Sequence, residues 1–355
     1  MAAPIRRKQH PPNVAQRRRE ALERIWHHSH VASKTLSDEI VAREPLGSGG
    51  ASGNTLERVT LRDGRELIRK EVSPEWDWIS RATGDDGRIV KMWSRGLFDR
   101  FPSSIDHATV AAEHAGDRWA VFMRDVSAHM VAGDRRLGRA EVGRVLAAMA
   151  DLHLAFWGER FDDLCGLEDR YNLLSPPTGR REQERGERAG ELIMRSWEHF
   201  DELVPGELAS AIRAMAEDPA LLAELLDTCE PTLIHGDVRL NNLGLSESQV
   251  VLVDWGERSG SAPAPVELAS FLVFDARRFD VSKDDVVEDF RSLYGDRFDE
   301  KAMELALIGA LVQLGCNFTL PIVLGGGNKA RADALAELEW WTPKVATALE
   351  RWSPV

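Results

Sequence analysis

The clearest patterning along the chain is a pair of short extended runs, 55–61 and 65–72, separated by Asp63-Gly64, a spacing that predicts an antiparallel hairpin. The strand ahead of it begins near Val41 and runs into Pro45-Leu46-Gly47-Ser48-Gly49-Gly50-Ala51-Ser52-Gly53-Asn54, a glycine-rich loop. On 65–72, period-two alternation puts Ile68, Lys70 and Val72 on one face and Leu67, Arg69 and Glu71 on the other. A third apolar run, Trp119-Ala120-Val121-Phe122-Met123, reads as a buried strand. After it the period lengthens. Val142, Val145, Leu146, Met149, Leu152, His153 and Phe156 fall at helical spacing and predict a helix over 139–157. Helices are also expected over 87–98, 181–203, 208–227, 266–274, 283–293, 304–316 and 329–352, the last after the break Gly325-Gly326-Gly327. Two short apolar runs, 232–234 and 250–253, interrupt the helices as strands aimed at one place. The pattern is that of an α+β chain of two lobes, a small antiparallel-sheet lobe followed by a larger, mostly helical one.

Each of the two short strands leads into an acid-bearing motif. His235-Gly236-Asp237-Val238-Arg239-Leu240-Asn241-Asn242 follows the first, and Asp254-Trp255-Gly256 follows the second. Phosphoryl transfer needs an acceptor for a hydroxyl proton and oxygen ligands that hold magnesium against phosphates. Asp237, Asn242 and Asp254 are of the right types for those three roles. Each motif alone also fits a blander reading, a Gly-Asp turn in one case and the end of a strand in the other. The glycine-rich loop makes Gly47, Ser48, Gly49 and Gly50 candidates for phosphate contact, because glycine lets backbone amides approach phosphate oxygens closely; a plain flexible turn is the alternative. Lys70 points with an apolar set, where an unpaired ammonium is costly. A Lys snorkelling to the strand edge, or a one-residue slip that makes Arg69 the inward residue, would remove that argument.

Together these motifs resemble the aminoglycoside phosphotransferase and choline kinase family, relatives of the protein kinases, whose catalytic loop reads His-Gly-Asp with an Asn five residues after the Asp, as in Asp237 and Asn242. The resemblance implies a two-lobed protein-kinase-like fold, ATP or GTP as donor, Mg2+ as cofactor and a small-molecule hydroxyl as acceptor. It implies that Lys70 contacts the nucleotide phosphates, that Asp237 is the base, and that Asn242 and Asp254 hold the metal. It places a hinge after 119–123, with the Arg124 carbonyl and the Val126 amide meeting the purine. Arg239 stands two residues after the Asp, where protein kinases carry a Lys beside the transferred group; a salt bridge to a neighbouring acid is the opposing reading. His235 is expected to brace the loop and His153 to be a satisfied structural group. One departure is visible: helix 87–98 lacks the Glu that pairs with the lysine in the family, and Glu75, Asp77, Asp85 and Asp86 are the acids on offer. The implied lobes are 35–126 and 127–355, behind a basic arm and helix over 1–34.

Composition narrows the acceptor little. The 355 residues are 29% charged and 43% hydrophobic, with a net charge of −13, which is globular rather than disordered. Cys165, Cys229 and Cys316 are far apart and predict neither a disulfide framework nor a metal motif. No apolar run reads as a membrane span and no signal-peptide core follows the basic start, so a cytoplasmic location is expected and no membrane partner. Arg6, Arg7, Lys8, Arg17, Arg18 and Arg19 precede the first acid, Glu20, in a segment read as a solvated tail with a helix over 16–28; no nucleic-acid partner is expected. Over 267–300 ten acids face five bases, which leaves a cationic acceptor open beside the simpler reading of a solvated helix face. Aminoglycosides and other antibiotics, with a role in resistance, sugars, nucleosides and amino alcohols are all compatible acceptors. Two rivals stay open, a kinase of protein substrates and a non-catalytic nucleotide-binding module. Only 257–265 separates Gly256 from the next helix, and Pro265-Val266-Glu267 is a faint likeness of the Ala-Pro-Glu that ends a protein kinase's activation segment. Oligomeric state is not legible.

Overall fold

The computed structural model describes residues 35–48 and 53–352. The basic arm, its helix and the loop residues Gly49 and Gly50 lie outside them. Five antiparallel strands form the first sheet: β1 (Ile40–Ser48), β2 (Thr55–Leu61) and β3 (Glu66–Val72), then, after α1 (Trp78–Thr83), α2 (Arg88–Ser94) and the short β4 (Ile105–Asp106), β5 (Thr109–Ala115) and β6 (Arg118–Met123), in the spatial order β1-β2-β3-β6-β5. The Asp63-Gly64 turn joins β2 to β3 as expected, with Gly64 at φ +88°. Register follows the alternation: Lys70 stands between Leu56 of β2 and Val121 of β6. Val72, Trp119 and Val121 pack into the main core, while Val59, Leu61, Leu67, Ala120 and Phe122 form a separate cluster on the opposite face. Arg69 lies buried on that opposite face, paired with Glu57 and Glu71, so the one-residue slip is excluded.

Helix α2 is shorter than the expected 87–98, because Gly96 takes φ +64° and the chain tightens into a 3-10 turn at Phe98–Arg100. β4 lies outside the first sheet and pairs in parallel with Val250 and Val251.

The helical lobe begins with α3 (Arg139–Ala155), α4 (Leu167–Asn172), α5 (Pro176–Glu184), α6 (Arg188–Leu203), α7 (Gly206–Glu217) and α8 (Ala220–Asp227). Two single helices of the sequence reading are thus pairs. Gly186, at φ +79°, turns the chain between α5 and α6. Pro219, which has no N–H to donate, separates α7 from α8. Strands β7 (Thr232–Ile234), β8 (Leu243–Leu245), β9 (Val250–Leu252) and β10 (Gly260–Ala262) follow, and then α9 (Ala264–Asp275), α10 (Lys283–Tyr294), α11 (Glu300–Pro321) and α12 (Gly327–Trp352). A π-helical segment at Ile322–Gly326, with Gly325 at φ +91°, joins the last two. Contrary to expectation, the Glu300–Trp352 span is long and apolar enough by composition to cross a membrane. Its apolarity has a plain cause. α11 is buried along nearly its whole length, packed among α6, α9 and α12 as the axis of the lobe. The three cysteines are buried and free.

Candidate active site

The site is built where β7 and β9 end. Gly236 turns the chain with φ +86°, and a Cβ there would run into the Arg258 carbonyl and the Arg170 guanidinium, so only glycine fits. Its N–H donates to Glu267 Oε1 at 2.5 Å, and its carbonyl accepts from Arg170 Nη1 at 2.9 Å. His235 is buried, donating from Nε2 to the Val253 carbonyl (3.0 Å) and accepting the Asp237 N–H at Nδ1 (3.1 Å). Burial lowers its pKa, so the imidazole is neutral and holds the loop. The bracing role expected of it is what the geometry provides.

Asp237 is almost fully buried. Asn242 Nδ2 donates to its Oδ2 at 2.9 Å and to its own backbone carbonyl at 3.1 Å. Two guanidinium groups flank the carboxylate, Arg258 Nη1 at 2.7 Å from Oδ1 and Arg239 Nε at 3.2 Å from Oδ2. Arg239 is partly exposed, and its guanidinium also lies over the Phe274 ring at 5.6 Å. It therefore does have the salt bridge that the opposing reading supposes, and the acid it pairs with is the candidate base.

Asp254 takes φ +70°, a left-handed conformation uncommon outside glycine. Lys70 Nζ lies 2.5 Å from its Oδ1 and 3.1 Å from Glu257 Oε1. Burial alone would raise the Asp254 carboxyl, but the Lys70 ammonium holds it at about 2. Burial alone would lower Lys70, but Asp254 and Glu257 together hold it above its ordinary value. Glu257, the more enclosed acid, is pushed upward by its burial in spite of Lys70. The two halves touch through the backbone, where the Val253 N–H donates to the Asn242 carbonyl at 3.0 Å.

With its amide nitrogen committed to Asp237, Asn242 keeps its side-chain carbonyl as an oxygen donor, and Asp254 offers a carboxylate that is 31% exposed. This hard-oxygen pair fits magnesium, which takes one or two protein oxygens and fills its shell with phosphate and water. Among the described residues no group of three or more His, Cys, Asp or Glu side chains forms a metal cage.

The remaining expected residues divide. Gly47, at φ +95°, stands opposite Leu56, which stands opposite Lys70, so loop and lysine share one row across the sheet. Ser48 closes that pairing opposite Thr55. At the expected hinge, the Arg124 N–H donates to the Ala108 carbonyl and its guanidinium pairs with Asp106, while Val126 is buried against Ala108 and Val251. His153 is fully buried between Tyr294 and Glu267, a satisfied structural group as expected. None of the four acids considered for Lys70 touches it: Asp77 and Asp85 accept backbone N–H groups at the starts of α1 and α2, Asp86 pairs with Lys91, and Glu75 approaches Arg118. Sequence reasoning missed Glu257, Arg258, Glu267 and Arg170. The local signals were position, since Glu257 and Arg258 directly follow Asp254-Trp255-Gly256, and for Glu267 the faint Pro265-Val266-Glu267 likeness.

Comparison with curated proteins gives no match. Solved structures similar to this chain include an aminoglycoside phosphotransferase from Alicyclobacillus acidocaldarius, 16% identical over 88% of this chain and 91% of that one, with a TM-score of 0.46. A choline kinase from Cryptosporidium parvum is 12% identical over 94% and 99%, with a TM-score of 0.48. The model of the phosphotransferase enzyme family, APH, matches residues 107–305, which holds Asp237, Asn242, Asp254 and more than half of the chain. The chain belongs to that phosphotransferase family.

Proposed function

We propose that the protein transfers the γ-phosphoryl group of ATP or GTP to a hydroxyl of a small molecule. In this reading Asp237 orients the acceptor hydroxyl and takes its proton, Lys70 and the 47–53 loop meet the nucleotide phosphates, and the hinge backbone at Arg124 and Val126 meets the purine. Asn242 and Asp254 would hold magnesium, which when bound neutralises phosphate charge. Arg239, partly exposed beside the base, is placed to meet charge on the transferred group. One observation carries the reading: a family-matched segment puts a buried, triply held carboxylate next to a second carboxylate paired with the strand lysine.

The acceptor class is open. Most carboxylates of 267–300 are engaged on the surface, Asp280 with Arg136, Asp289 with Arg139, Asp284 with Lys344 and Glu300 with Arg291, so they lend no weight to a cationic acceptor. A protein acceptor is disfavoured by the short stretch after Gly256, which β10 ties to β7 before α9 begins. The test is ADP or GDP release by purified protein with magnesium against a panel of aminoglycosides, macrolides, nucleosides, amino sugars and choline. Release above the no-acceptor rate for one class is expected; none across the panel, with a peptide substrate accepted, sinks the proposal.

A further inference from the structure

Two adjacent residues point to opposite halves of the site. Glu257 reaches Lys70 on β3, and Arg258 reaches Asp237 on the catalytic loop. Both are buried, at 8% and 7% exposure. Their backbones are gripped from opposite lobes: Arg88 of α2 donates from Nη1 to the Glu257 carbonyl at 2.8 Å, while Arg170 of α4 donates to the Arg258 carbonyl as well as to Gly236. The segment is also tied internally. Ser259 Oγ accepts the Gly256 N–H at 3.0 Å and donates to the His235 carbonyl at 2.9 Å. Gly256, at φ +115°, lies so close to α2 that a Cβ would stand 2.7 Å from that of Ile89.

A segment this constrained can set the direction of the side chains it carries. Lys70 has one ammonium and two carboxylates, and Asp254 is also the proposed magnesium ligand. A second acid keeps the lysine aimed when the first is engaged. Helix α2 carries no Glu to do this. Asp237 has the mirror-image need, since a base must hold its lone pairs toward the hydroxyl. Of its two guanidinium neighbours, Arg258 is the enclosed one.

We propose that Glu257 and Arg258 are positioning residues for the transfer reaction, Glu257 fixing Lys70 toward the nucleotide phosphates and Arg258 fixing Asp237 toward the acceptor. This rests on the phosphotransfer reading above. One five-residue segment, 254–258, thereby holds a metal ligand, the phosphate-binding lysine and the base in mutual register, without a partner from the small lobe's helix.

Calorimetric binding of a non-hydrolysable ATP analogue, with and without EDTA, and steady-state transfer are the two readouts. Glu257→Gln is expected to weaken analogue binding roughly tenfold even in EDTA and to lower kcat by about 10²-fold, the scale of a misplaced group, with the acceptor KM unchanged. Arg258→Gln is expected to lower kcat by about as much while analogue affinity stays within about twofold of wild type. The shape-conserving Glu257→Asp and Arg258→Lys should regain part of each loss, and they carry the test if the glutamine variants do not fold. Wild-type analogue affinity in Glu257→Gln, full kcat in Arg258→Gln, or losses in both that merely track a lower Tm overturn the proposal. A wild type that binds the analogue but phosphorylates no acceptor overturns the activity and the Arg258 half, while the Glu257 half is still decided by binding alone.

Discussion

Gly236 and Gly47 both take positive φ, +86° and +95°, in the two halves of the same site, yet their surroundings are opposites. Around Gly236 there is no room for a methyl group: the Arg258 carbonyl from a turn, and Arg170 and Glu267 from two helices, close on it. Around Gly47 no described residue lies within 4 Å of where a Cβ would stand, and β1 is exposed from Val41 through Gly47. The half that holds the proposed base is shaped by packing before any ligand arrives. In the half proposed to meet the phosphates no described residue crowds Gly47, whereas Lys70 is held there by the 254–258 segment reaching across to it.

Substitutions of the charged groups should break the site most completely. Asp254→Ala is expected to abolish transfer together with the magnesium dependence of nucleotide binding, and Asp237→Asn to lower turnover by roughly 10²- to 10⁴-fold with nucleotide affinity retained; steady-state kinetics and calorimetry measure both, and full turnover in Asp237→Asn would remove the base assignment. The two glycines then test the contrast directly. Gly236→Ala should cost about 3 kcal/mol or more, from strain plus overlap with Arg258 and Arg170, whereas Gly47→Ala should cost about 1–2 kcal/mol, from strain alone. Equal losses in urea denaturation would mean that the loop around Gly236 relaxes freely.

Glu267→Gln sharpens the picture one layer out. Burial would raise this carboxyl, but the hydrogen bonds from His153 and the Gly236 N–H hold it below its ordinary value, and it also accepts the His235 N–H. Losing the charged acceptor is expected to cost about 2 kcal/mol and to lower activity through the loop, without a change in nucleotide affinity. The smallest effect concerns Asp275, whose carboxylate accepts the Leu240 N–H and whose burial pushes its pKa to about 6. The folded state therefore keeps this proton to higher pH than the unfolded chain does, so the stabilising contribution is complete below about pH 4 and is lost as pH rises through 6. Asp275→Asn should stabilise the fold relative to wild type at pH 7.5 by on the order of 1 kcal/mol, read as a higher Tm, and leave stability nearly unchanged at pH 4. A constant difference across that window would contradict the assignment.

What was legible in the sequence is what is local. The catalytic motif, the Lys70 register and the strand before the hinge each depend on neighbours within a few residues, and alternation or motif spacing captures them. Glu257, Arg258 and Glu267 act on partners 187, 21 and 31 or more residues away, and no period encodes such a pairing. The acids near 75–86 looked equally able to pair with Lys70 until helix starts claimed two of them. The helix break at Pro219 lies between runs of helical apolar spacing, and the one at Gly186 lies in a polar stretch that carries no period. The apolar length of α11 was passed over in the sequence, and its burial among α6, α9 and α12 accounts for it.

That helix has a consequence for what a reading frame can promise. Every residue assigned to the chemistry lies before position 259, but Tyr171, next to the Arg170 that grips Gly236, rests on Gly309, and the lobe closes around α11 only when residues 300–321 are present. A frameshifted allele ending at residue 299 would preserve every motif residue of the site and still leave α6 and α9 with no axis to fold around. Such alleles belong with null mutations, whatever their motifs say.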